Sequence, residues 1–373
     1  MSESSNMKFY VDIYLDHNLG DDLFLDTLLQ RYPEHDFYVG IPSHVERLNI
    51  HFNRYSNLKK ISPIGIKNIF NVIDFDAYIL IGGSVYMDLN KSFRRLWLSR
   101  LFKSIICALS QKPFYVIGAN LGPFNTKLGK LLLFIHFNVI KHISVRDKHS
   151  YDLLKRWKKF NTYSIAPDVV FSHTTKTTST STSTSTLGIS VINTSRHIYA
   201  QEAYIKKIAA LINLYLSKSS SNSILLMGFD GGLENDNAII QRVLEDQNMD
   251  RIKVLNYSPD LDMMSFLNEF KKCDSIVCSR FHAMILAIKY NKKIFPICYS
   301  EKMSNVLLDM KHENLGINYE NIDDLDVERV VDELSLVNNE DNKKLRNLEV
   351  EYMKSAVNHF NCIDSIIARK THE

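Results

Sequence analysis

Residue types able to do chemistry are densest in Ser279-Arg280-Phe281-His282-Ala283 and, downstream, in Tyr299-Ser300-Glu301-Lys302. An arginine, a histidine and a lysine are thereby set around one predicted strand–helix–strand unit. Arginine offers a planar fork to a carboxylate or phosphate, lysine a mobile point charge, and histidine an acid or base near neutral pH. Together they suit a small, doubly charged anion whose reaction moves a proton.

The elements that must position these groups follow from hydrophobic patterning. Short apolar, β-rich runs at 9–15, 36–39, 77–81, 113–118 and 143–146 read as strands, and so do those at 187–192, 224–229, 252–255, 275–278 and 293–297. Segments of helical period at 21–29, 127–142, 150–158, 203–216, 235–245, 262–271 and 281–290 lie between them. This alternation predicts an α/β protein built on doubly wound parallel sheets. In such sheets ligands gather at the carboxyl ends of strands. Asn18, Gly20 and Asp21 follow the first strand, Gly82 and Gly83 the strand at 77–81, and Asn120 and Gly122 the strand at 113–118. Arg146 ends a strand, and Ser279, Arg280 and His282 open a helix, whose free N–H groups and dipole favour an anion. Taken singly, each has an ordinary reading: paired glycines make turns, Asp21-Asp22 caps a helix, Arg146 forms a surface ion pair, and Lys302 is solvated. Their joint placement on one sheet edge argues for a site.

The chain has 373 residues, more than one core usually fills, so two domains are expected. Residues 174–186 are almost entirely Ser and Thr, which cannot bury a core. The expected division is an N-terminal Rossmann-like domain at 1–172, a linker at 173–186 and a C-terminal Rossmann-like domain at 187–373. The last ends in a charged helical tail from about 323 to 368, with Val330, Val331, Leu334 and Leu336 as apolar positions, expected to pack back across the N-terminal half.

A net charge of +3 gives no warrant for nucleic acid as a partner. The five cysteines form no CxxC pair and read as reduced thiols of a cytosolic protein. The N-terminus shows no secretory pattern, and the longest apolar run, 131–140, is far short of the roughly 20 residues of a membrane span. A cytoplasmic location is expected, with contact at the inner membrane face left open; the basic segment 91–103 reads as a solvated face, with membrane contact as its alternative. No P-loop, GxGxxG, HExxH or GxSxG occurs, and the histidines lack metal-ligand spacing, so no metal site is expected.

In order, Asn18-x-Gly20-Asp21, Ile81-Gly82-Gly83, Gly118-x-Asn120-x-Gly122-Pro123-Phe124, Ser144-Val145-Arg146-Asp147 with Ser150, Pro167-Asp168, Ser279-Arg280-Phe281-His282-Ala283 and Tyr299-Ser300-Glu301-Lys302 resemble the polysaccharide pyruvyl transferase family. The resemblance departs at Ser84, where the family often carries a third glycine, and at the Ser/Thr tract. It implies a GT-B-like fold of two Rossmann-like domains facing a cleft. It also implies transfer of pyruvate from phosphoenolpyruvate to a sugar as a cyclic ketal, with phosphoenolpyruvate as co-substrate and no further cofactor. Arg146, Arg280 and Lys302 would bind the donor and His282 would act as general acid or base. Asn18, Gly20, Asp21, Gly82, Gly83, Asn120, Gly122 and Ser279 would line the cleft. The acceptor would be a sugar or a lipid-linked oligosaccharide, and its identity stays open. Two other readings remain at this point: a GT-B glycosyltransferase using a nucleotide sugar, and a non-catalytic glycan-binding member.

Overall fold

A computed structural model describes residues 6–372 apart from 44, 46–47, 88–90, 125, 158–161, 176–184, 194–197, 233, 246 and 336–339. Most of the expected Ser/Thr linker, and Leu336 of the tail, lie outside the described residues. His173, at the start of that linker, is buried and bonded to Asp26 at 2.5 Å, and Thr186, at its end, belongs to a strand.

The first sheet contains β1 (Lys8–Asp12), β2 (Asp36–Gly40), β3 (Leu58–Ile61), β4 (Ala77–Ile81), β5 (Phe114–Ala119), β6 (His142–Val145) and β7 (Thr162–Ile165). Its order is β3-β2-β1-β4-β5-β6-β7, with every pair parallel. The second contains β8 (Thr186–Ser190), β9 (Ser223–Gly228), β10 (Ile252–Asn256), β11 (Ser275–Cys278), β12 (Lys293–Cys298) and β13 (Ile317–Asn318). Its order, β10-β9-β8-β11-β12-β13, repeats the same winding. Each sheet therefore reverses strand order once, between β1 and β4 and between β8 and β11, and ligand sites form at such reversals. β4, β5 and β11 are buried at every residue, as parallel strands covered on both faces must be. The three strands without a sequence signal, β3, β7 and β13, all lie at sheet edges. They are short and polar, so backbone pairing rather than an apolar pattern places them.

The helices are α1 (Leu19–Arg31), α2 (Lys91–Leu109), α3 (Lys127–Val139), α4 (Lys148–Trp157), α5 (Ile198–Lys218), α6 (Asn237–Leu244), α7 (Met263–Lys272), α8 (Phe281–Lys289), α9 (Glu301–Asp309), α10 (Val327–Ser335), α11 (Glu340–Ala356) and α12 (Asn361–His372). The tail does cross to the first half. Asp364 of α12 accepts from Arg31 Nη2 at 2.8 Å and from Tyr32 Oη at 2.6 Å, and Ile363 and Phe360 join the core under α1. The basic segment at 91–103 is not simply a solvated face. Arg100 and Lys103 are buried, and Arg100 Nη2 donates to Asp12 Oδ1 at 3.2 Å while Lys103 Nζ reaches Tyr78 Oη at 3.3 Å. Buried guanidinium and carboxylate must pair, and Asp12 at the end of β1 supplies the partner. The five cysteines are unpaired.

The two domains lock together through α1. Asp26, buried in its middle, accepts from His51 Nε2 at 2.6 Å and His173 Nε2 at 2.5 Å, while His51 Nδ1 faces Asp262 of the second domain at 3.2 Å. Lys289, at the end of α8, donates to the carbonyls of Val170, Phe171 and His173 at 2.8, 2.8 and 2.6 Å. Asp22 accepts from Tyr257 Oη at 2.5 Å.

Candidate active site

Strand ends from both sheets meet at one place. Asn18 caps α1, accepting from Gly20 N–H at 3.0 Å, and its Nδ2 donates to Asp230 Oδ2, after β9, at 3.0 Å. Leu19 N–H donates to Phe229 O at 3.0 Å, so the first turn of α1 is pinned to the second domain. Gly20 then lies against His282, and a Cβ built on it would stand 1.7 Å from His282 Nδ1. Only a residue without a side chain permits that approach.

Arg146 follows β6 and is held by three other strand ends. Its Nη1 donates to Asp168 Oδ2 at 2.6 Å and its Nη2 to Asn120 Oδ1 at 2.8 Å. Gly83 lies so close that a Cβ there would meet Nη2 at 2.2 Å. Ser84, where a third glycine was expected, reaches Asn120 Oδ1 with its hydroxyl at 3.4 Å, so it supports the same seat. Asp168 caps the short turn Val169–Ser172 through Val170 N–H at 2.9 Å. Burial would raise its pKa, but the Arg146 guanidinium, His282 and that N–H together hold it below the ordinary carboxylate range.

Phe281 is the shared platform. Arg146 Cζ lies 4.1 Å from its ring centroid and Lys302 Nζ 5.4 Å, and Lys302 also lies 5.2 Å from the Tyr299 centroid. One ring thus gathers a cation from each domain. The adjacent His282 ring makes edge contacts with Phe281 and Phe24, at centroid distances of 5.1 and 5.2 Å. Its Nε2 is sealed and has no hydrogen-bond partner among the described residues. Burial pushes the His282 pKa down to about 3, and although Asp168 opposes this, Arg146, Lys302 and Arg280 add to it. The imidazole is therefore neutral at neutral pH. Asp21 moves the other way. Burial raises its carboxyl to about 7, with Asp230 and Asp168 adding to the rise and Lys302 and Arg146 only partly offsetting it.

Not every expected residue faces this space. Arg280 is committed to carboxylates: Nε donates to Asp236 Oδ2 at 2.9 Å, Nη2 to Asp236 Oδ1, and Nη1 to Glu234 Oε2. Ser279 is fully buried, its N–H on Ser190 Oγ at 3.0 Å and its Oγ accepting from Tyr204 Oη at 2.8 Å. Gly122 N–H bonds to Tyr86 O at 2.9 Å, joining the loops after β5 and β4. Gly82 lies beside Asp21, whose Oδ1 would be 3.8 Å from a Cβ there. Sequence reasoning did not assign Phe281 as a platform or Asp230, Glu234 and Asp236 as counter-charges. The acidic spacing after β9 was the available signal for the latter.

Solved structures share this architecture. The S. aureus MnaA–UDP complex aligns with a TM-score of 0.63 at 12% identity over 97% of this chain and 96% of that one. UDP-GlcNAc 2-epimerase from Neisseria meningitidis bound to UDP-GlcNAc aligns at 0.61 with 11% identity, over 97% of this chain and 99% of that one. Anabaena HepE in complex with UDP and glucose aligns at 0.60 with 8% identity, over 98% and 100%. At such identity the likeness is one of fold: two Rossmann-like domains in a GT-B-like arrangement. The sequence model for polysaccharide pyruvyl transferase matches residues 18–301, which include nearly every group described above. On that match over most of its length, the chain belongs to the polysaccharide pyruvyl transferase family.

Proposed function

We propose that the protein transfers pyruvate from phosphoenolpyruvate to two hydroxyls of one sugar in a cell-surface polysaccharide or exopolysaccharide precursor, forming a cyclic ketal and releasing phosphate. The observation that carries this reading is the pairing of Arg146 and Lys302 over Phe281, next to a neutral His282 whose Nε2 is unsatisfied. Phosphoenolpyruvate carries a carboxylate and a phosphate, and two cations of different geometry on one platform suit it.

The chemistry needs one group that gives a proton and one that takes it. Asp21, raised to about 7, keeps a proton near neutrality, and His282 is neutral, with no hydrogen bond on Nε2 among the described residues. In our scheme Asp21 protonates the terminal enol carbon as a sugar hydroxyl adds to C2 and gives its proton toward His282. The neighbouring hydroxyl then displaces phosphate from C2, closing the ring; its proton departs on the phosphate as hydrogen phosphate, and His282 gives up its proton as Asp21 regains one, which resets both groups. Lys302 offsets the charge that grows on the leaving phosphate. Arg280, bound to Asp236 and Glu234, holds the first turn of α8 and positions His282.

A nucleotide-sugar donor is the second reading, prompted by the UDP and UDP-GlcNAc of the structural neighbours. The acidic loop of Asp230, Glu234 and Asp236 after β9 opposes a diphosphate there. Calorimetric titration with phosphoenolpyruvate and with UDP- and GDP-sugars separates the two. Saturable phosphoenolpyruvate binding that Arg146→Ala abolishes supports the pyruvyl transfer. Binding of a nucleotide sugar alone would replace it.

A further inference from the structure

We propose that the outer face of α2 and α3, with the adjoining turn Ile69–Asp74, docks on an anionic lipid bilayer. The proposal goes beyond the donor chemistry and does not depend on it.

Both helices pack on the same side of the first sheet, burying Trp97, Leu133 and Phe137. Their outward sides are unusually apolar. On α3, Leu128, Leu131 and Ile135 recur at helical spacing, with Leu128 59% and Leu131 55% exposed. On α2, Phe102 is 51% exposed. Beside α2, Ile66 and Phe70 are 71% and 70% exposed. Single exposed apolar residues are ordinary, but a run across three adjoining elements is a docking surface.

Charge identifies the occupant. Residues 89–146 contain no Asp or Glu, although the whole chain is nearly balanced at +3. Lys67, Arg95, Lys127 and Lys130 are exposed around the apolar stripe. Apolar side chains projecting from helices with basic flanks describe an interfacial membrane contact with anionic headgroups. A second copy of the chain would bring two like-charged rims together. Among the described residues no helix is long and apolar enough to cross a membrane, so the contact would be peripheral. α2 and α3 follow the loops that carry Gly83 and Asn120, so their first turns adjoin the cleft. A docked enzyme would hold that cleft at headgroup level, where a lipid-carried acceptor is presented.

The test is cosedimentation of the full chain with vesicles of phosphatidylcholine and phosphatidylglycerol in equal parts, against phosphatidylcholine alone. The expected result is salt-sensitive binding to the mixed vesicles only. Leu128→Gln with Leu131→Gln should weaken it about tenfold per leucine, and Lys127→Glu with Lys130→Glu should remove the preference for the anionic vesicle. Unchanged melting temperatures would show that both variants fold. Absence of binding to either vesicle would overturn the proposal, as would binding that the leucine substitutions leave intact. A dimer in sedimentation velocity that Leu131→Gln dissolves would assign the face to a second copy instead.

Discussion

Gly20 and His282 touch across the cleft: the α-carbon at the start of α1 abuts the imidazole at the start of α8, with no room for a methyl group between them. The contact sets the distance between the two domains at the site, because Asn18–Asp230 and Leu19–Phe229 fasten the same turn to the second domain.

Gly20→Ala should therefore act on catalysis through geometry. A methyl group 1.7 Å from Nδ1 must push the ring or the turn aside. A displacement of about 1 Å can cost on the order of 100-fold in rate. We expect kcat to fall by about that factor while the protein still melts cooperatively. Turnover within a few-fold of wild type would mean that the two turns are not rigidly set.

Arg146→Lys tests the planar fork. Lysine keeps the charge but cannot serve Asp168 and Asn120 at once while lying flat on Phe281. Losing one charge-assisted hydrogen bond, worth about 1.5–3 kcal/mol, should raise KM for phosphoenolpyruvate by roughly 10- to 100-fold. The readout is a split between KM and kcat, and an unchanged KM would remove Arg146 from donor binding.

The acid and base roles predict an asymmetric pH profile. Asp21 must hold its proton to act as the acid, so kcat/KM should decline as pH rises through about 7. His282 stays neutral down to about 3, so no acidic limb from it should appear while the protein is folded. Asp21→Asn should abolish the alkaline limb and slow turnover about 10²- to 10⁴-fold. An alkaline limb that persists in that variant belongs to another group. His282→Ala should eliminate turnover in a folded protein.

Asp22 should couple stability to pH. It is 3% exposed, and burial raises its carboxyl to about 7, with the Tyr257 hydroxyl opposing the rise and Asp21 and Asp26 adding to it. The folded state thus binds a proton that the unfolded state has released above its ordinary pKa of 3.8. Its favourable contribution is complete below that value and fades as pH rises through about 7. Asp22→Asn, which can still accept from Tyr257, should gain stability over wild type by about 2 kcal/mol more at pH 8 than at pH 5. Denaturant unfolding at the two pH values measures this, and an equal difference at both would show that Asp22 is ordinary.

Much of this protein was readable in one dimension. Strands such as β4, β5 and β11 announce themselves because a parallel strand buried on both faces must be apolar throughout, and Gly82 and Gly118 mark where β4 and β5 end. The doubly wound class and the set of strand-end residues followed from those local signals. Edge strands β3, β7 and β13 left no such mark, since a half-solvated ladder constrains few side chains. What only the tertiary structure decided is which charges meet. Arg146 and Arg280 look alike in sequence, yet one lies on Phe281 and pairs with Asp168, while the other is clasped by Asp236 and Glu234. The burial that lifts Asp21 and lowers His282 arises only where two separate domains close over both. Desolvation and Coulomb energies depend on distance through space, and residues hundreds of positions apart acquire that distance only on folding.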